Sequence, residues 1–473
     1  MVFTIARKEF KETLRDGRFR LMAGIVLTLL FVALAAGWKH YAQTQAERAA
    51  ARVEARDIWL TQGAKNPHSA AHYGTYAFKP QLPLALVDQG TNPFTGVAVY
   101  LEAHKQNNVK YLPAQDSTGL RRFGELTAST ALQILTPLVI ILLAFSAFAG
   151  ERENGALRQL LSLGVRPRTL AFGKGLGIAC ALGLPLVPAT IIGVAALGLS
   201  AAGGAYVPTG ARSLWMGLGY LLYFGAFAAL SLAVSARASS ARIALVALLG
   251  FWGIGAVIAP RVAADVSKRV APTPSAVQFW TNVASDLSSV GIEGHNSSKH
   301  HAALRARVLE QYGVDKVEDL PFNFAGVALQ SGEESSNRVY DRRFTELWDG
   351  YERQGRVQVW GALVAPILAV RSLSMGMAGT DFAHHRHFAA AAEDYRRRMV
   401  KLLNDDVAYS PKGEEWTYVA DRRMWERLAD FEYALPGVAW ALRKQATSLS
   451  LLLVWFAGSS IFAYVSIARM KVS

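Results

Sequence analysis

The sequence has a single cysteine among 473 residues, Cys180, which lies inside an apolar run. One thiol excludes an internal disulfide and a cysteine-rich metal site, and we interpret it as a small packing residue. A phosphate-binding loop is also missing, because Gly173-Lys174-Gly175 lacks the upstream glycine and the following Ser or Thr. The metalloprotease, serine-hydrolase and dinucleotide-binding motifs are absent as well. We therefore predict a protein that is not an enzyme and that binds no cofactor itself.

Charge is missing from several long apolar stretches, although 18% of the chain is charged. A bilayer core of about 30 Å needs roughly 20 apolar residues in a helix. One Asp, Lys or Arg at the centre of such a helix costs about 2.5–3.5 kcal/mol, so charge-free runs are informative. We predict an α-helical membrane protein with six transmembrane helices. These spans are residues 21–38, 129–149, 174–199, 213–235, 243–260 and 448–467.

The first apolar run could be confused with a signal peptide. It follows some 20 residues that include Glu9, Glu12 and Asp16, and it is long enough to span a bilayer. We therefore expect an uncleaved anchor.

Basic residues are concentrated in residues 1–20, in residues 150–174, between spans four and five, and in the tail 468–473. Together these segments hold fifteen Lys and Arg against five Asp and Glu. The positive-inside rule therefore places both termini in the cytoplasm and the insertions 39–128 and 261–447 on the extracytoplasmic side. The net charge of +14 then indicates topology and attraction to membrane lipid rather than nucleic-acid binding. The predicted location is the bacterial inner (cytoplasmic) membrane, as a multi-pass protein.

The two insertions are predicted to form a mainly helical extracytoplasmic domain. Apolar residues recur at helical spacing from Phe388 to Leu402, and Asn404-Asp405 is expected to end that helix. Further helices are expected over 43–60 and 339–358, with loops and a few strands over 76–100. Residues 360–370 are apolar but too short to span. They form either a helix in the external core or one lying on the outer membrane surface.

All ten histidines lie outside the predicted spans. Asp381, His384 and His385 could share one helical face and bind zinc or copper. The favoured alternative is that Asp381 caps the helix that follows. On that interpretation the chain has no metal site.

The segment 150–173 follows the second span. Leu157, Leu160 and Leu161 share one face of a short amphipathic helix, while Arg158 and Gln159 point away. This apolar ridge could enter a groove on a partner protein, or the helix could rest on the inner leaflet.

The run from Gly150 to Ser162, with the later Gly173-Lys174, resembles the signature of ABC-2 type permeases. The resemblance implies a coupling helix that docks on an ATPase subunit. The N-terminal segment 1–20 is similar to the elbow helix of that family. The residues carrying these two roles are, for ATPase coupling, Glu151, Arg152, Glu153, Gly155, Leu157, Leu160 and Leu161, and, for the elbow, Lys8, Glu9, Phe10, Arg15 and Asp16.

The resemblance implies an exporter subunit that pairs with an identical or related permease half and with two cytoplasmic ABC ATPase subunits, which bind ATP and Mg. Spans two and five are expected to line the interface between the halves. The long insertions resemble a subfamily with a large uncharacterised extracytoplasmic domain, through residues 122–127 and 373–396. Two alternatives stay open: an ABC-driven mechanotransmitter that acts on an external partner, and a receptor or assembly factor without an ATPase. The sequence does not name the cargo.

Overall fold

The computed structural model describes residues 1–108, 127–200, 206–291, 298–410 and 417–470. Within these residues, six helices are long and apolar enough to cross a membrane, and each predicted span lies inside one of them. The six are Gly17–Thr61, Ala128–Glu153, Pro167–Ser200, Thr209–Arg237, Ala241–Val270 and Ala446–Ala468. The first is longest, and its 45 residues extend about 67 Å at the helical rise of ~1.5 Å per residue.

The described elements are mostly helical. In chain order the helices are α1 (Val2–Arg15), α2 (Gly17–Thr61), α3 (Pro67–Tyr73), α4 (Asn92–Thr95), α5 (Ala128–Ala144), α6 (Ala149–Glu153), α7 (Ala156–Ser162), α8 (Pro167–Ser200), α9 (Tyr206–Arg237), α10 (Ala241–Gly253), α11 (Ala259–Val270), α12 (Ala276–Ser289), α13 (Ser298–Tyr312), α14 (Phe324–Trp360), α15 (Ile367–Ala378), α16 (Phe382–Tyr409), α17 (Arg422–Glu426), α18 (Val438–Lys444) and α19 (Ala446–Ala468). A π-helical turn, Ile254–Ile258, joins α10 to α11. Two strands, β1 (Thr75–Phe78) and β2 (Ala98–Leu101), pair antiparallel, with Thr75 opposite Leu101.

The spans share one apolar core, in which α9 packs against α5, α15 and α19. Polar side chains inside this bundle form hydrogen bonds to other side chains and to the backbone. Gln133 donates to the hydroxyl of Tyr220 (3.1 Å), and Tyr223 donates to the carbonyl of Gln133 (2.9 Å). Such pairing is required because lipid offers no alternative partner.

The two insertions fold together into one helical region with a small sheet. Trp59 at the end of α2, Leu101 in β2, Phe388 in α16 and Trp425 in α17 share a buried cluster. The indole of Trp59 donates to the carbonyl of Trp425 (2.9 Å). The predicted helical content and the few strands of this region are present.

Helix α16 does not end at Asn404-Asp405 as predicted but continues to Tyr409. The Asn404 side chain is fully buried and bonds to His68 (3.1 Å) and to Gln330 (3.2 Å). An asparagine can end a helix when its side chain forms hydrogen bonds with nearby backbone groups. Here the side chain bonds to His68 and Gln330 instead, so the helix continues.

Residues 360–370 do not lie in the core of the insertions, which was one of the two expected arrangements. Trp360, Leu363 and Val364 are more than half exposed, so contact with the outer membrane surface stays a prediction. Residues 360–370 form a short 3-10 turn and the start of α15, and they pack into the bundle core against α9 and α19. Trp455 of α19 donates to the carbonyl of Ala362 (2.6 Å), and Ala365 and Ala369 are fully buried. A side chain at Gly219 of α9 would overlap Leu373. Small residues therefore let this helix enter the bundle from the side of the insertions.

Cys180 is exposed on α8, so its interpretation as a packing residue is wrong. It lies in a helix with many exposed apolar side chains, including Leu184, Val187 and Ile191. A thiol on such a surface behaves as one more small apolar group.

Candidate functional site

Helix α1 lies directly against the start of α8. A Cβ atom added at Gly173 would come within 2.6 Å of the Cβ of Ile5, and one added at Gly177 within 2.7 Å of the Cβ of Glu9. Real Cβ atoms do not approach so closely, so both positions need glycine at this helix spacing. The predicted elbow segment is therefore a helix fixed on the third span.

One buried lysine connects three parts of the chain at this end of the bundle. The Nζ of Lys174 lies 2.8 Å from Oε1 of Glu9 in α1 and 2.8 Å from Oε1 of Glu151 in α6. Its side chain is only 2% exposed. Lys8 adds an outer ion pair with Glu12 (3.0 Å). Because a buried charge is costly without its partner, this cluster positions the elbow and the coupling segment together.

Helix α6 is held against the end of α9 by Arg152. Its guanidinium donates to the carbonyls of Ala238 (2.6 Å) and Ala236 (2.7 Å), at the C-terminal end of a helix that favours cations. The hydroxyl of Ser235 also accepts from the backbone N–H of Phe148 (3.0 Å). Gly155 then turns the chain into α7 with φ of 79°, a left-handed conformation that favours glycine.

The apolar ridge of the coupling segment faces inward, not outward as the pattern suggested. Leu157 is 1% exposed, and Leu160 and Leu161 pack on the bundle core. The outward face is formed by Arg158, Gln159 and Leu163, of which Leu163 is 80% exposed. The prediction was wrong because an amphipathic pattern does not distinguish a partner's groove from the protein's own bundle.

The remaining elbow and coupling residues have separate local roles. Phe10 is partly buried, and Arg15 is exposed in the last turn of α1. Asp16 caps α2, accepting from the backbone N–H of Arg18 (2.8 Å). Glu153 is exposed. The structure therefore brings Glu9, Lys8 and Glu151 together but leaves Glu153 outside that cluster.

Asp381 caps α16, as the favoured interpretation predicted. Its Oδ1 accepts from the backbone N–H of His384 (3.0 Å) and from the Nδ1 of the same residue (2.6 Å). His384 Nε2 faces the guanidinium of Arg212 (3.4 Å). His385 lies near Glu393 instead. Burial, and to a smaller extent the positive charge of Lys79, lower the pKa of His385 to about 3. These three residues do not form one set of metal ligands.

A chain of polar contacts joins the insertions to the bundle, and sequence reasoning missed it. Asp88 accepts from the hydroxyl of Ser374 (2.5 Å), and that hydroxyl lies 3.1 Å from the hydroxyl of Tyr220 in α9. Arg212, buried where α9 meets the insertions, donates to the carbonyls of Pro436 (2.5 Å) and Gly376 (3.1 Å). In the sequence, the one signal for this contact was the position of Arg212 directly before the predicted fourth span.

Comparison with known proteins identifies the family. The family described as ABC-2 family transporter protein matches residues 3–292, and a domain of unknown function (DUF3526) matches residues 276–434. A probable ABC transporter permease protein, NosY of Pseudomonas aeruginosa, is 39% identical over 123 residues, which are 25% of this chain and 43% of that protein. The match thus covers less than half of that relative. Because the first family covers more than half of the chain, this multi-pass membrane protein belongs to the ABC-2 family of transporter proteins.

Proposed function

We propose that the protein is the permease subunit of an ABC-2 type exporter in a bacterial inner membrane. The elbow, the coupling segment and both termini face the cytoplasm, and the insertions lie outside. Two copies of a separate ABC ATPase bind ATP and Mg and hydrolyse the nucleotide. A second permease half, identical or related, completes the pore. The excess of Lys and Arg near the termini supports this orientation.

The observation that carries the proposal is the surface formed by Glu153, Arg158, Gln159 and Leu163, here called the coupling face. All four residues are exposed, and Leu163 presents an apolar side chain among polar ones. An apolar anchor with a polar rim is the usual composition of a protein interface.

Force on the coupling face would reach the spans through the ion pairs of Lys174 and the hydrogen bonds of Arg152. Lys174 ties α6 to α1 and α8, and Arg152 ties α6 to the end of α9. Closure of two ATPase subunits would therefore move spans three and four with the coupling segment. Leu157, buried at the base of α7, adds an apolar contact with the same bundle.

The second permease half would pack on span five. Span two, which was also expected at that interface, has no exposed residue between 129 and 149. Span five is open, with Ile243, Val246, Ile254 and Val257 all more than half exposed. Its apolar surface faces either lipid or the second half.

Affinity purification from native membranes in mild detergent, with mass spectrometry of the partners, tests the proposal. The wild type should bring down an ABC ATPase in roughly equal amount, and Leu163→Glu should lose it while the fold survives. Val53→Glu is the matched control, because Val53 is 71% exposed on the insertion side. Recovery of no ATPase with the wild type would favour a receptor or assembly factor instead.

A second candidate, the mechanotransmitter, is favoured by the unbroken helix α2. The same helix that forms span one contributes Trp59 to the core of the insertions, so movement of the span is carried into that region. Reconstituted vesicles separate the two functions. ATP-dependent movement of a solute into or out of the vesicles supports the exporter, and hydrolysis that responds only to an external partner supports the mechanotransmitter.

A further inference from the structure

Three histidine rings of the first insertion meet in one place. His68 and His72 are one helical turn apart on α3, and His104 follows β2. The ring centroids lie 4.9 Å apart for His68 and His72, 5.0 Å for His68 and His104, and 4.9 Å for His72 and His104. One ligand atom from each lies within 4.8 Å of the others. The three ligand atoms are therefore close enough together to hold one metal ion.

The outer nitrogens of two of these rings face each other. Nε2 of His68 lies 3.2 Å from Nε2 of His104. Two ligands of a tetrahedral zinc ion, each bound at ~2.0–2.1 Å, are about 3.3 Å apart. The two nitrogens therefore already have the separation that a shared metal ion requires.

The opposite nitrogens of the same rings are held by hydrogen-bond acceptors. His68 Nδ1 lies 3.1 Å from Oδ1 of Asn404, and His104 Nδ1 lies 2.8 Å from Oε1 of Glu333. Donation from Nδ1 leaves the lone pair of a neutral imidazole on Nε2. Two lone pairs then face each other, which is stable only if a proton or a metal ion lies between them. Metal-binding histidines show this same outer hydrogen bonding.

The supporting residues are themselves fixed. Asn404 is fully buried, and Glu333 is 2% exposed and paired with Arg396 (3.2 Å). His104 has φ of 68°, a left-handed conformation that is rare outside glycine. Its backbone N–H also donates to Glu333 (2.6 Å), which holds that conformation in place. Strained residues held in this way are concentrated at functional sites.

We propose that His68, His72 and His104 bind one borderline transition-metal ion, of the class of Zn²⁺, with a fourth position open to solvent. Imidazole suits zinc, copper and nickel, and three protein ligands with one open position differ from a closed structural site. His72 is exposed, so the ion can enter from solvent. The first insertion supplies the ligands, and the second supplies Glu333 and Asn404, so the site forms only where the two insertions meet.

The test uses the full-length protein, purified in detergent with a tag that contains no histidine and stripped by a chelator. Elemental analysis after addition of Zn²⁺ should give one ion per chain, and competition with a coloured chelator gives its affinity. Asn404→Ala should weaken zinc binding about 10–100-fold, the usual effect of removing an outer hydrogen bond. His72→Ala removes a ligand and should weaken binding further, without loss of packing, because this side chain is exposed.

His40→Ala is the matched control, since His40 is exposed on α2 away from the three rings, and it should bind zinc as the wild type does. The wild type loaded with Co²⁺ should show the visible absorption of a four-coordinate ion. This measurement uses the wild type alone and so does not depend on the folding of any variant. Absence of stoichiometric zinc, or equal affinity in the wild type and His72→Ala, would overturn the proposal and leave a proton between His68 and His104.

Discussion

Two lysines are buried to the same degree at opposite ends of the bundle, and their surroundings differ. Lys174, on the side of the termini, lies between Glu9 and Glu151, each 2.8 Å away. Lys79, in the insertions, donates to the amide oxygen of Asn92 (3.0 Å), and it forms no ion pair in the described part of the chain. Counted over the whole residue, backbone included, both lysines are 1% exposed. The first is compensated by charge, and burial lowers the pKa of the second to about 8.

The two ends of the bundle also differ in how their helices are held together. Near the termini, α1, α6 and α7 are short and pack on the spans, and the ion pairs of Lys174 add to this packing by joining α1 to α6. In the insertions, three further apolar clusters hold the helices together. The end of the bundle near the termini therefore has no apolar core apart from that of the spans, whereas the insertions have their own core, which α2, α15 and Arg212 join to the bundle.

The largest effect is expected from Lys174→Met. The substitution leaves the largely buried carboxylates of Glu9 and Glu151 with only the exposed Lys8 nearby, at 3.5 and 3.7 Å. Breaking a fully buried pair costs about 3–5 kcal/mol, and we expect a loss near the lower end of that range. Thermal unfolding of the purified protein should show it, and limited proteolysis should detect release of α1. Stability equal to that of the wild type would show that charge does not hold the elbow in place.

Lys79 should produce a pH dependence on the insertion side. Its pKa is lower when folded, about 8, than when unfolded, about 10.4, so the unfolded chain binds the extra proton between these values. Stability should therefore rise by about 3 kcal/mol as pH increases from 8 to about 10.5, since each pKa unit corresponds to about 1.4 kcal/mol.

Urea unfolding followed by tryptophan fluorescence measures this dependence. Comparison with Lys79→Met removes the contribution of other groups, because the variant lacks only this titration. The same pH profile in both proteins would show that Lys79 is not the group responsible.

A smaller effect is expected at the contact between α1 and α8. Gly177→Ala places a Cβ 2.7 Å from that of Glu9, and overpacking of this kind costs about 1–3 kcal/mol. Gly198→Ala on the same helix meets nothing within 4 Å and should be neutral or slightly stabilising. Equal thermal stability of the two variants would mean that the elbow is not packed on span three.

The smallest effect is expected from Lys8→Met. Lys8 is 52% exposed, and it lies closest to Glu12 (3.0 Å) and farther from Glu9 (3.5 Å) and Glu151 (3.7 Å). Ion pairs of such an exposed lysine contribute about 0–1 kcal/mol. Thermal unfolding should change little, in contrast to Lys174→Met. A large loss of stability at Lys8 would mean that the outer pair, rather than the buried one, holds the elbow.

The spans could be predicted because a bilayer imposes a strict rule on composition, and each charge-free run became one long helix. The cap at Asp381 was predictable for a similar reason, since capping depends on neighbouring residues only. The inward direction of Leu157 could not be predicted, because helical periodicity shows that a face is apolar but not what covers it.

The cluster of His68, His72 and His104 was not predictable for a different reason. His68 and His72 have helical spacing, but His104 reaches them only because β1 and β2 pair and the chain turns after Leu101. Residues 360–370 contact Trp455, and the helix that they begin packs through Leu373 against Gly219, and both partners are remote in sequence. Contacts of this kind depend on tertiary packing, which no local pattern encodes.

The most direct test of the account is site-specific photocrosslinking in living cells, with a photoreactive amino acid in place of Leu163 on the coupling face or Val53 in the insertions. Both positions are strongly exposed, at 80% and 71%. The account predicts an adduct with an ABC ATPase subunit from position 163 and none from position 53. An ATPase adduct from position 53, or none from position 163 while the protein is folded in the membrane, would contradict it.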